Sequence, residues 1–323
     1  MKLMTLNTHS LEETDYESKL HTFAEVLCRE QPDIIALQEV NQTRSADPAD
    51  PRELVQCGYV PCADSAFADA ACADSACADA TCADAACADS ACADSVSPSA
   101  AAPSPVIRCD NHAYRVARLC AQMGLNYHWT WTGAKIGYDK YDEGLAIFSR
   151  FPILGTEQFY ITGTQDYTNW KTRRILGISI SADHGMEHFY SVHMGWWNDA
   201  EEPFQAQWER ICRTLPSRTA GPVWLMGDFN SPAHVQGQGR DLIRNSGWLD
   251  SYELAASKDS GITAGQVIDG WRENHIIGNG GSPGMRIDYI WTSRQIPVRS
   301  SRVIFNGSRE PVVSDHYGII VEY

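Results

Sequence analysis

The chain has 323 residues, of which 43% are hydrophobic, and a formal net charge of −15. This length suits one large domain or two small ones, and the hydrophobic share is enough for a large core. Proteins that grip long nucleic acid usually have a basic face, so the acidic charge disfavours stable nucleic-acid binding, although a basic cleft stays open as an alternative.

The first residues do not resemble a signal peptide, because only four residues, Leu3 to Leu6, separate Lys2 from polar sequence. No later run approaches the roughly 20 apolar residues that a membrane helix needs. Six of the 11 Cys lie in one repeat, and the others show no zinc spacing. We therefore expect a cytoplasmic protein in a reducing compartment, with no membrane partner.

Strand and helix patterns alternate along the chain. Residues 2–6 and 33–38 are short apolar runs typical of buried strands, and residues 16–30 between them repeat apolar side chains at helical spacing. Further strands are predicted at 144–149, 174–181, 187–193, 222–227, 286–292 and 317–323, and helices at 110–124, 200–215 and 238–246. Because no clean βαβ repeat is present, we expect a mixed sheet or two packed sheets flanked by helices.

A low-complexity repeat interrupts this pattern. Residues 62–96 are seven copies of a five-residue unit such as Cys-Ala-Asp-Ser-Ala, and a Pro/Ser/Ala linker follows. We interpret residues 57–106 as an insertion in a surface loop of a single domain that spans residues 1–323. A short pentapeptide-type coil and a Cys-based metal trap are the alternatives. Deletion of residues 61–104 should leave most activity intact.

Polar residues stand at the ends of several apolar, strand-like runs. They are Asn7, Glu39, His193, Asp228 with Asn230, and Asp315 with His316. Taken singly, each has an ordinary interpretation as a turn residue or a buried histidine. An unpaired buried carboxylate is costly, so Glu39 needs a partner, either a metal ion or an Arg such as Arg44 or Arg52. Together these residues are the ingredients of a divalent-metal site that cleaves phosphate esters.

The joint order of these residues resembles the endonuclease/exonuclease/phosphatase family, which includes DNase-I-like nucleases, sphingomyelinases and sugar phosphatases. Asp288, in the run Arg-Ile-Asp-Tyr-Ile, and residues 144–150 extend the resemblance, which spans nearly the whole chain except about 57–106. The resemblance implies an α/β fold with four layers, in which two mixed sheets lie face to face and helices cover them outside.

The resemblance also implies a metal site. Glu39 would be the main ligand of Mg²⁺ or Mn²⁺, helped by Asn7, and Asp315 would hold the same ion or a second one. Mg²⁺ prefers one or two carboxylates together with waters, which agrees with this set. Many family nucleases carry an acidic residue two positions after the first Asn. His9 stands there in this chain, so it either alters a second metal position or contacts the substrate.

Catalytic roles follow from the same resemblance. Asp228 would deprotonate the attacking water, and Asn230 would align the water or the phosphate. His193 and His316 would bind the phosphate oxygens as charge builds, and Asp288 would orient one of these histidines. Because the sequence has no Ser or Cys nucleophile motif, we expect direct attack by water without a covalent intermediate.

The substrate is predicted from softer motifs. Residues 3–10, 110–114 and 193–199 resemble a narrower branch, the bacterial maltose 6′-phosphate phosphatases, so a small phosphorylated sugar is expected. The candidate substrate contacts are His9, His112, Lys171, Arg173, Trp196 and Trp197. The alternatives are an endonuclease, exonuclease or other phosphodiesterase on the same fold, a sphingomyelinase-like enzyme, and a binding module without activity.

Further aromatic and basic residues could also serve the substrate. Loops or strand ends are predicted for Trp129, Trp131, Tyr138, Trp170, Trp196, Trp197 and Trp271. Arg forks bind phosphate well, and the candidate phosphate contacts are Lys135, Lys140, Lys171, Arg173 and Arg174. About half of the aromatic residues are expected in the core instead, and residues 171–174 could equally form a solvated strand edge.

Overall fold

A computed structural model of the chain describes residues 1–62, 106–183, 185–215, 221–265, 268, 271 and 284–323. Nearly all of the five-residue repeat and its linker therefore lie outside the described residues. The interpretation of residues 57–106 as a surface insertion stays a prediction. Among the helices of the described ranges, none combines the length and apolar character that crossing a bilayer requires.

The described residues form the following elements. The strands are β1 (Lys2–Asn7), β2 (Ile34–Thr43), β3 (His128–Gly137), β4 (Tyr141–Ser149), β5 (Gly155–Tyr160), β6 (Arg174–Ala182), β7 (Gly185–His193), β8 (Val223–Asp228), β9 (Leu249–Asp250), β10 (Ser257–Lys258), β11 (Asp288–Thr292), β12 (Ser300–Ile304) and β13 (Gly318–Glu322). The helices are α1 (Tyr16–Glu30), α2 (Pro51–Gln56), α3 (His112–Gln122), α4 (Phe204–Thr214), α5 (Gly239–Asn245) and α6 (Ser251–Leu254), and a 3-10 turn covers Ser10–Glu12.

Two mixed sheets contain these strands. Sheet 1 has the order β10-β12-β13-β1-β2-β4-β3, and sheet 2 has the order β5-β6-β7-β8-β11-β9. In sheet 1, β1 is parallel to β2 and antiparallel to β13; in sheet 2, β7 is parallel to β8, and β11 runs antiparallel to β8. Because β7 and β8 are parallel neighbours, their carboxyl ends lie at the same edge of sheet 2.

Side chains alternate along the strands between an inter-sheet core and helix-covered faces. On β1, Leu3 packs between the sheets, whereas Met4 and Leu6 pack with residues of α1 and α3. On β8, Met226 packs between the sheets, whereas Leu225 packs with residues of α4 and α5. The result is helix, sheet, sheet, helix, which confirms the predicted four-layer α/β sandwich.

Strand β2 is longer than predicted, and Glu39 does not end it. The register of β2 against β4 shifts between Leu37 and Val40, and Glu39 has a positive φ of 51°. Such a β-bulge inserts an extra residue and changes the direction of its side chain. Leu37 and Val40 both stay on the helix-covered face. The predicted strand end at Glu39 is therefore wrong, because a bulge instead of a terminus sets the direction of this carboxylate.

Strand β3 was not predicted, and it corrects two loop assignments. Trp129 and Trp131 lie on β3 and are completely buried. Their indole N–H groups donate to the backbone carbonyls of Cys57 and Val40, each at 3.0 Å. A buried Trp needs such an acceptor, and both find one within the fold. These two aromatic residues therefore belong to the core and do not line a loop.

Candidate active site

Three polar side chains lie side by side at one end of sheet 2. His193 ends β7, Asp228 ends β8 and Asp288 begins β11. Asp228 is the register partner of His193 on the parallel side and of Asp288 on the antiparallel side. Met226 and Ile290, two residues away on the same faces of their strands, pack between the sheets. All three polar side chains therefore face sheet 1.

Sheet 1 contributes Asn7 and Glu39 to the same place. Asn7 ends β1, and its Nδ2 lies 2.9 Å from Oε1 of Glu39 and 3.3 Å from Oδ2 of Asp228. The side-chain amide of Asn7 thus links a carboxylate of its own sheet to a carboxylate of the other sheet. The structure brings these three predicted residues, which come from distant parts of the sequence, into direct contact.

Hydrogen bonds immediately behind the site fix the spacing of the two sheets. Nε2 of Gln38 donates to Oγ of Ser191 at 2.9 Å, and that hydroxyl donates to the carbonyl of Leu37 at 2.8 Å.

Gly227 has a φ of +149°, and an added Cβ would lie 1.9 Å from the carbonyl oxygen of Val192. Only glycine fits there, because the close approach leaves no room for a side chain.

The loop before β13 supplies the second histidine. Oγ of Ser314 donates to the carbonyl of Asn7 at 2.7 Å, which attaches this loop to the end of β1. Nδ1 of His316 lies 3.0 Å from Oδ2 of Asp288, and Nε2 lies 3.9 Å from Oδ2 of Asp228. Burial lowers the pKa of His316, but the charge and hydrogen bond of Asp288 and the charge of Asp228 outweigh it and raise the pKa well above its usual value.

The other histidine has the opposite electrostatic environment. Nε2 of His193 lies 3.7 Å from Oδ2 of Asp228 and 4.0 Å from Oε1 of Glu39. Burial lowers the pKa of His193 well below its usual value, and the positive charges of Arg173 and Lys135 lower it further. The pKa values of the two imidazoles on either side of Asp228 are therefore shifted in opposite directions, upward for His316 and downward for His193.

Asp228 is held in place by the turn that follows it. The backbone N–H of Asn230 donates to Oδ1 of Asp228 at 2.8 Å. The amide of Asn230 donates to the carbonyl of Met194 at 2.9 Å and accepts a 2.8 Å hydrogen bond from Nε1 of Trp271. Burial raises the pKa of Asp228 to about 7, although the charge of His316 opposes this rise. Both Asp228 and Asn230 thus have fixed orientations.

The environment of Glu39 fits a divalent cation. Within the described residues, no Lys or Arg pairs with Glu39, and the predicted alternative partner Arg44 instead approaches Asp142 at 3.9 Å. Burial raises the pKa of Glu39, and the carboxylates of Glu143 and Asp315 raise it further. A cation would neutralise this negative charge, and carboxylate and amide oxygens are the ligands that Mg²⁺ prefers.

Asp315 lies at the rim of the site with His9. Nδ1 of His9 is 2.8 Å from Oε1 of Glu13, the same oxygen that accepts a 3.0 Å hydrogen bond from the backbone N–H of Asp315. Nε2 of His9 lies 3.1 Å from the hydroxyl of Tyr138. Burial lowers the pKa of His9, but Glu13, Asp315 and Glu39 outweigh it and raise the pKa to about 9. A cationic His9 therefore lies beside the acidic residues Glu13, Asp315 and Glu39.

The candidate substrate contacts next to His193 divide into two kinds. Arg173 is buried and lies over the ring of Trp196, with its Cζ 5.9 Å from the ring centroid. Lys171 instead pairs with Asp199 at 3.0 Å and with Glu201 at 3.1 Å. Arg173 and Trp196 thus contact each other and stay candidate substrate contacts, whereas the charge of Lys171 is taken by two carboxylates.

Two other candidate substrate contacts pack against phenylalanine rings. Trp197 packs against Phe204 of α4, with ring centroids 5.9 Å apart. His112 is buried between α1 and α3, where Nδ1 lies 3.0 Å from the hydroxyl of Tyr16 and the ring stacks on Phe23. Burial lowers the pKa of His112 to about 3. The structure therefore places His112 with the core residues and does not bring it to the other site residues.

Two residues near the site were not singled out from the sequence. Glu143 lies on β4 beside Lys135, with Oε1 3.1 Å from Nζ of Lys135. Gln38 joins the two sheets behind Asn7. The signal for Glu143 was its position directly before the apolar run 144–149. A charged residue at that position belongs to a strand whose other residues are mostly buried. The signal for Gln38 was similar, because it is a polar residue in a buried strand directly before Glu39.

The chain is similar to known proteins in both sequence and fold. A sequence profile described as the Endonuclease/Exonuclease/phosphatase family matches residues 4–316. An endonuclease/exonuclease/phosphatase family protein from Leptotrichia buccalis C-1013-b is 27% identical, with a TM-score of 0.73 over 100% of this chain and 98% of that chain. Among curated proteins, none matches the sequence significantly.

Two further solved structures share the fold at lower identity. The mannosyl-6-phosphatase of Bacteroides thetaiotaomicron VPI-5482 is 16% identical, with a TM-score of 0.55 over 100% of this chain and 98% of that chain. TDP2 from Caenorhabditis elegans is 14% identical, with a TM-score of 0.53 over 99% of this chain and 74% of that chain. Both comparisons support the two-sheet architecture.

Proposed function

Because the chain belongs to the endonuclease/exonuclease/phosphatase family, whose members are hydrolases that generally use divalent metals, we propose that it is a metal-dependent phosphomonoesterase of a small phosphorylated sugar. The observation that carries this proposal is the meeting of Asn7, Glu39, Asp228 and the two histidines at one end of the inter-sheet core. This arrangement combines hard oxygen ligands with donors for phosphate oxygens.

Glu39, with Asn7 and Asp315, would hold Mg²⁺ or Mn²⁺. Such an ion, when bound, polarises a phosphoryl oxygen and offsets its negative charge. The protein contributes the fixed placement of these ligands. The bulge in β2 directs Glu39 toward Asn7, and Ser314 attaches the loop that carries Asp315 to the backbone of Asn7. The ligand set thus joins strand β1, strand β2 and the loop before β13.

Asp228 is the proposed base for the attacking water. One of its oxygens accepts a hydrogen bond from the backbone N–H of Asn230 at 2.8 Å. The other oxygen faces Asn7 and the two histidines. A carboxylate fixed in this way can accept a proton from water without rearranging, and positioned bases contribute substantially to such reactions. Asn230 would align the water or the phosphate.

His193 and His316 are the proposed donors to the phosphate. Their Nε2 atoms lie 3.7 Å and 3.9 Å from the same oxygen of Asp228, so both rings border the space in front of that carboxylate. Asp288 accepts from Nδ1 of His316 and fixes the direction of its ring. Preorganised donors of this kind stabilise the charge that develops on a phosphoryl oxygen during attack.

Aromatic residues beside the site support a sugar substrate. Trp170 is 53% exposed, and its ring centroid lies 5.8 Å from that of Trp196. Aromatic faces stack on sugar rings, and the narrower sequence resemblance to maltose 6′-phosphate phosphatases supports the same class. The fold shared with a mannosyl-6-phosphatase is in keeping with it. The identity of the sugar, the cytoplasmic location and the lack of stable nucleic-acid binding stay predictions.

The proposal is tested with a panel of phosphate esters in the presence of Mg²⁺. The panel contains maltose 6′-phosphate, glucose 6-phosphate, mannose 6-phosphate, a dinucleotide and plasmid DNA. We expect phosphate release from at least one sugar phosphate, and we expect a chelator to abolish it. Cleavage of DNA with no turnover of any sugar phosphate would reverse the proposal in favour of a nuclease.

A variant links the activity to the site. Asp228→Asn should lower kcat by about 10²–10⁴-fold, the usual contribution of a positioned base. The control is Asp183→Asn, which removes a carboxylate from an exposed turn after β6. Full activity of a folded Asp228→Asn protein would refute the proposed role of Asp228.

A further inference from the structure

A row of buried polar side chains crosses sheet 1 beside the proposed metal ligands. Glu143 on β4 is the register partner of Asn41 on β2 and of Lys135 on β3. The register of β3 shifts between Gly133 and Lys135, so a second bulge sets the direction of this lysine. Leu145, on the same face of β4 as Glu143, packs between the sheets. The row Asn41–Glu143–Lys135 therefore faces sheet 2.

Arg173 meets this row from sheet 2. It directly precedes β6, its side chain is 4% exposed, and Nη1 lies 3.9 Å from Oε1 of Glu143. Its Nε, both amide atoms of Asn41 and Nε1 of Trp196 are buried without a hydrogen-bond partner among the described residues. Buried polar atoms are normally paired, so this layer lacks a polar partner such as a bound anion and its waters.

The two basic side chains in this layer share one carboxylate. Among the residues that the structure describes, Glu143 is the carboxylate within ion-pair distance of both Lys135 and Arg173. Burial and the charge of Arg173 lower the pKa of Lys135, and the charges of Glu143 and Glu39 oppose this shift. As a ligand of a metal ion, Glu39 would neutralise this lysine less. An uncompensated buried charge is unfavourable, so this layer favours an additional anion.

We propose that Lys135 and Arg173 bind the second negative charge of a phosphomonoester and thereby make the enzyme prefer monoesters to diesters. This inference rests on the proposed function. A phosphomonoester carries two negative charges above its second pKa of about 6. A diester carries one, and its second ester group replaces the oxygen that the two cations would bind. Glu143 acts as a positioning residue, because it contacts both cations and not the substrate.

The experiment compares two aryl esters that differ in this charge. kcat/KM is measured with Mg²⁺ for p-nitrophenyl phosphate and for bis(p-nitrophenyl) phosphate, above the second pKa of the monoester. In Lys135→Met and Arg173→Met, the monoester value should fall about 100-fold, the usual cost of losing one preorganised donor. The diester value should fall less than about tenfold, so the ratio of the two values drops.

Matched variants separate this role from a general loss of charge or packing. Arg150→Gln removes a guanidinium that lies 3.4 Å from Asp33 at the surface, and it should leave the ratio unchanged. Lys135→Arg keeps the positive charge and should restore part of the monoester preference. Circular dichroism and thermal unfolding check that each variant is folded.

The possible outcomes distinguish the two proposals. If the wild-type protein hydrolyses the monoester but the variants lose both esters equally, Lys135 and Arg173 do not select the dianion and this inference fails alone. If the wild-type protein does not hydrolyse any monoester, the proposed function fails. If Lys135→Met and Arg173→Met do not fold, inhibition of the wild-type enzyme decides. Inorganic phosphate should inhibit more strongly than dimethyl phosphate, and equal inhibition would overturn the inference.

Discussion

Asp228 and Asp288 are register partners on β8 and β11, so two buried carboxylates face the same side of sheet 2. Like charges directly opposite each other destabilise a sheet. The imidazole of His316 lies between them, with Nδ1 3.0 Å from Asp288 and Nε2 3.9 Å from Asp228. The same side chain therefore serves as a counter-ion for the fold and as a donor for the site.

Replacement of His316 should reduce both stability and activity. His316→Gln leaves two buried carboxylates without a cation, so the free energy of unfolding should fall by about 3 kcal/mol. Urea unfolding measures this change, and His21→Gln on the exposed face of α1 is the control. Adding Asp288→Asn to His316→Gln should recover part of the lost stability. Additive losses in the double variant would contradict the charge argument.

Glu39→Gln should have opposite effects on metal binding and on the stability of the metal-free protein. The activity of Glu39→Gln should require at least about tenfold more Mg²⁺, because a carboxylate ligand is lost. Because burial, Glu143 and Asp315 raise the pKa of Glu39, its ionised form destabilises the folded state at neutral pH. The metal-free variant should therefore unfold at a higher urea concentration than the wild-type protein.

The comparison for this variant is Glu25→Gln, which removes an exposed carboxylate from α1. It should change neither the Mg²⁺ requirement nor the urea midpoint. An unchanged Mg²⁺ requirement in Glu39→Gln would exclude Glu39 as a main ligand.

Gly227→Ala should destabilise the protein much more than Gly124→Ala. At Gly227 a new Cβ would lie 1.9 Å from a backbone carbonyl oxygen and 2.9 Å from Nε2 of Gln38. Gly124 also has a positive φ, of +87°, but nothing lies within 4 Å of its added Cβ. We expect Gly227→Ala to cost well over 1 kcal/mol and Gly124→Ala about 1 kcal/mol or less. Thermal unfolding of both variants checks this, and equal midpoints would contradict it.

His112 should make the protein sensitive to acid. Burial, and then the charge of Arg115, lower the pKa of His112 from 6.5 to about 3. The unfolded chain therefore binds a proton that the folded protein does not, as the pH falls from about 6.5 towards 3. Stability that is complete above 6.5 is lost in this range, by up to about 1.4 kcal/mol per pH unit.

The measurement is urea unfolding of the wild-type protein and of His112→Gln at a series of pH values. Other titrating groups affect both proteins, so the difference between their curves isolates His112. The curve of the variant should be flatter between about pH 6.5 and 3. Parallel curves over this range would show that His112 is not held neutral by the fold.

Most of the fold could be predicted because buried strands and amphipathic helices have clear patterns. The helix predicted at residues 16–30 is α1 with the same bounds, and the apolar runs before Asn7, His193 and Asp228 are β1, β7 and β8. The polar residues at these strand ends were also visible, since each interrupts an apolar run. Their joint order identified the family, which the profile match over residues 4–316 confirms.

The remaining features of the fold and the site depended on irregularities in strand pairing, which leave no pattern in the neighbouring sequence. The bulges at Glu39 and before Lys135 arise from the pairing of β2 and β3 with β4, so strand alternation alone assigns these side chains to the wrong face. Strand β3 was missed because its Trp and Thr residues also suit a ligand-binding loop. Its burial follows from contacts with residues distant in sequence, such as Cys57.

The division of the site between two sheets affects how the protein regains function after denaturation. Sheet 1 takes strands from both ends of the chain, and sheet 2 takes most of its strands from the middle. Contacts between segments so distant in sequence form slowly compared with single helices. In a refolding experiment, recovery of catalysis should therefore lag behind recovery of the far-ultraviolet signal. The length of that lag measures how long the two sheets take to pack against each other.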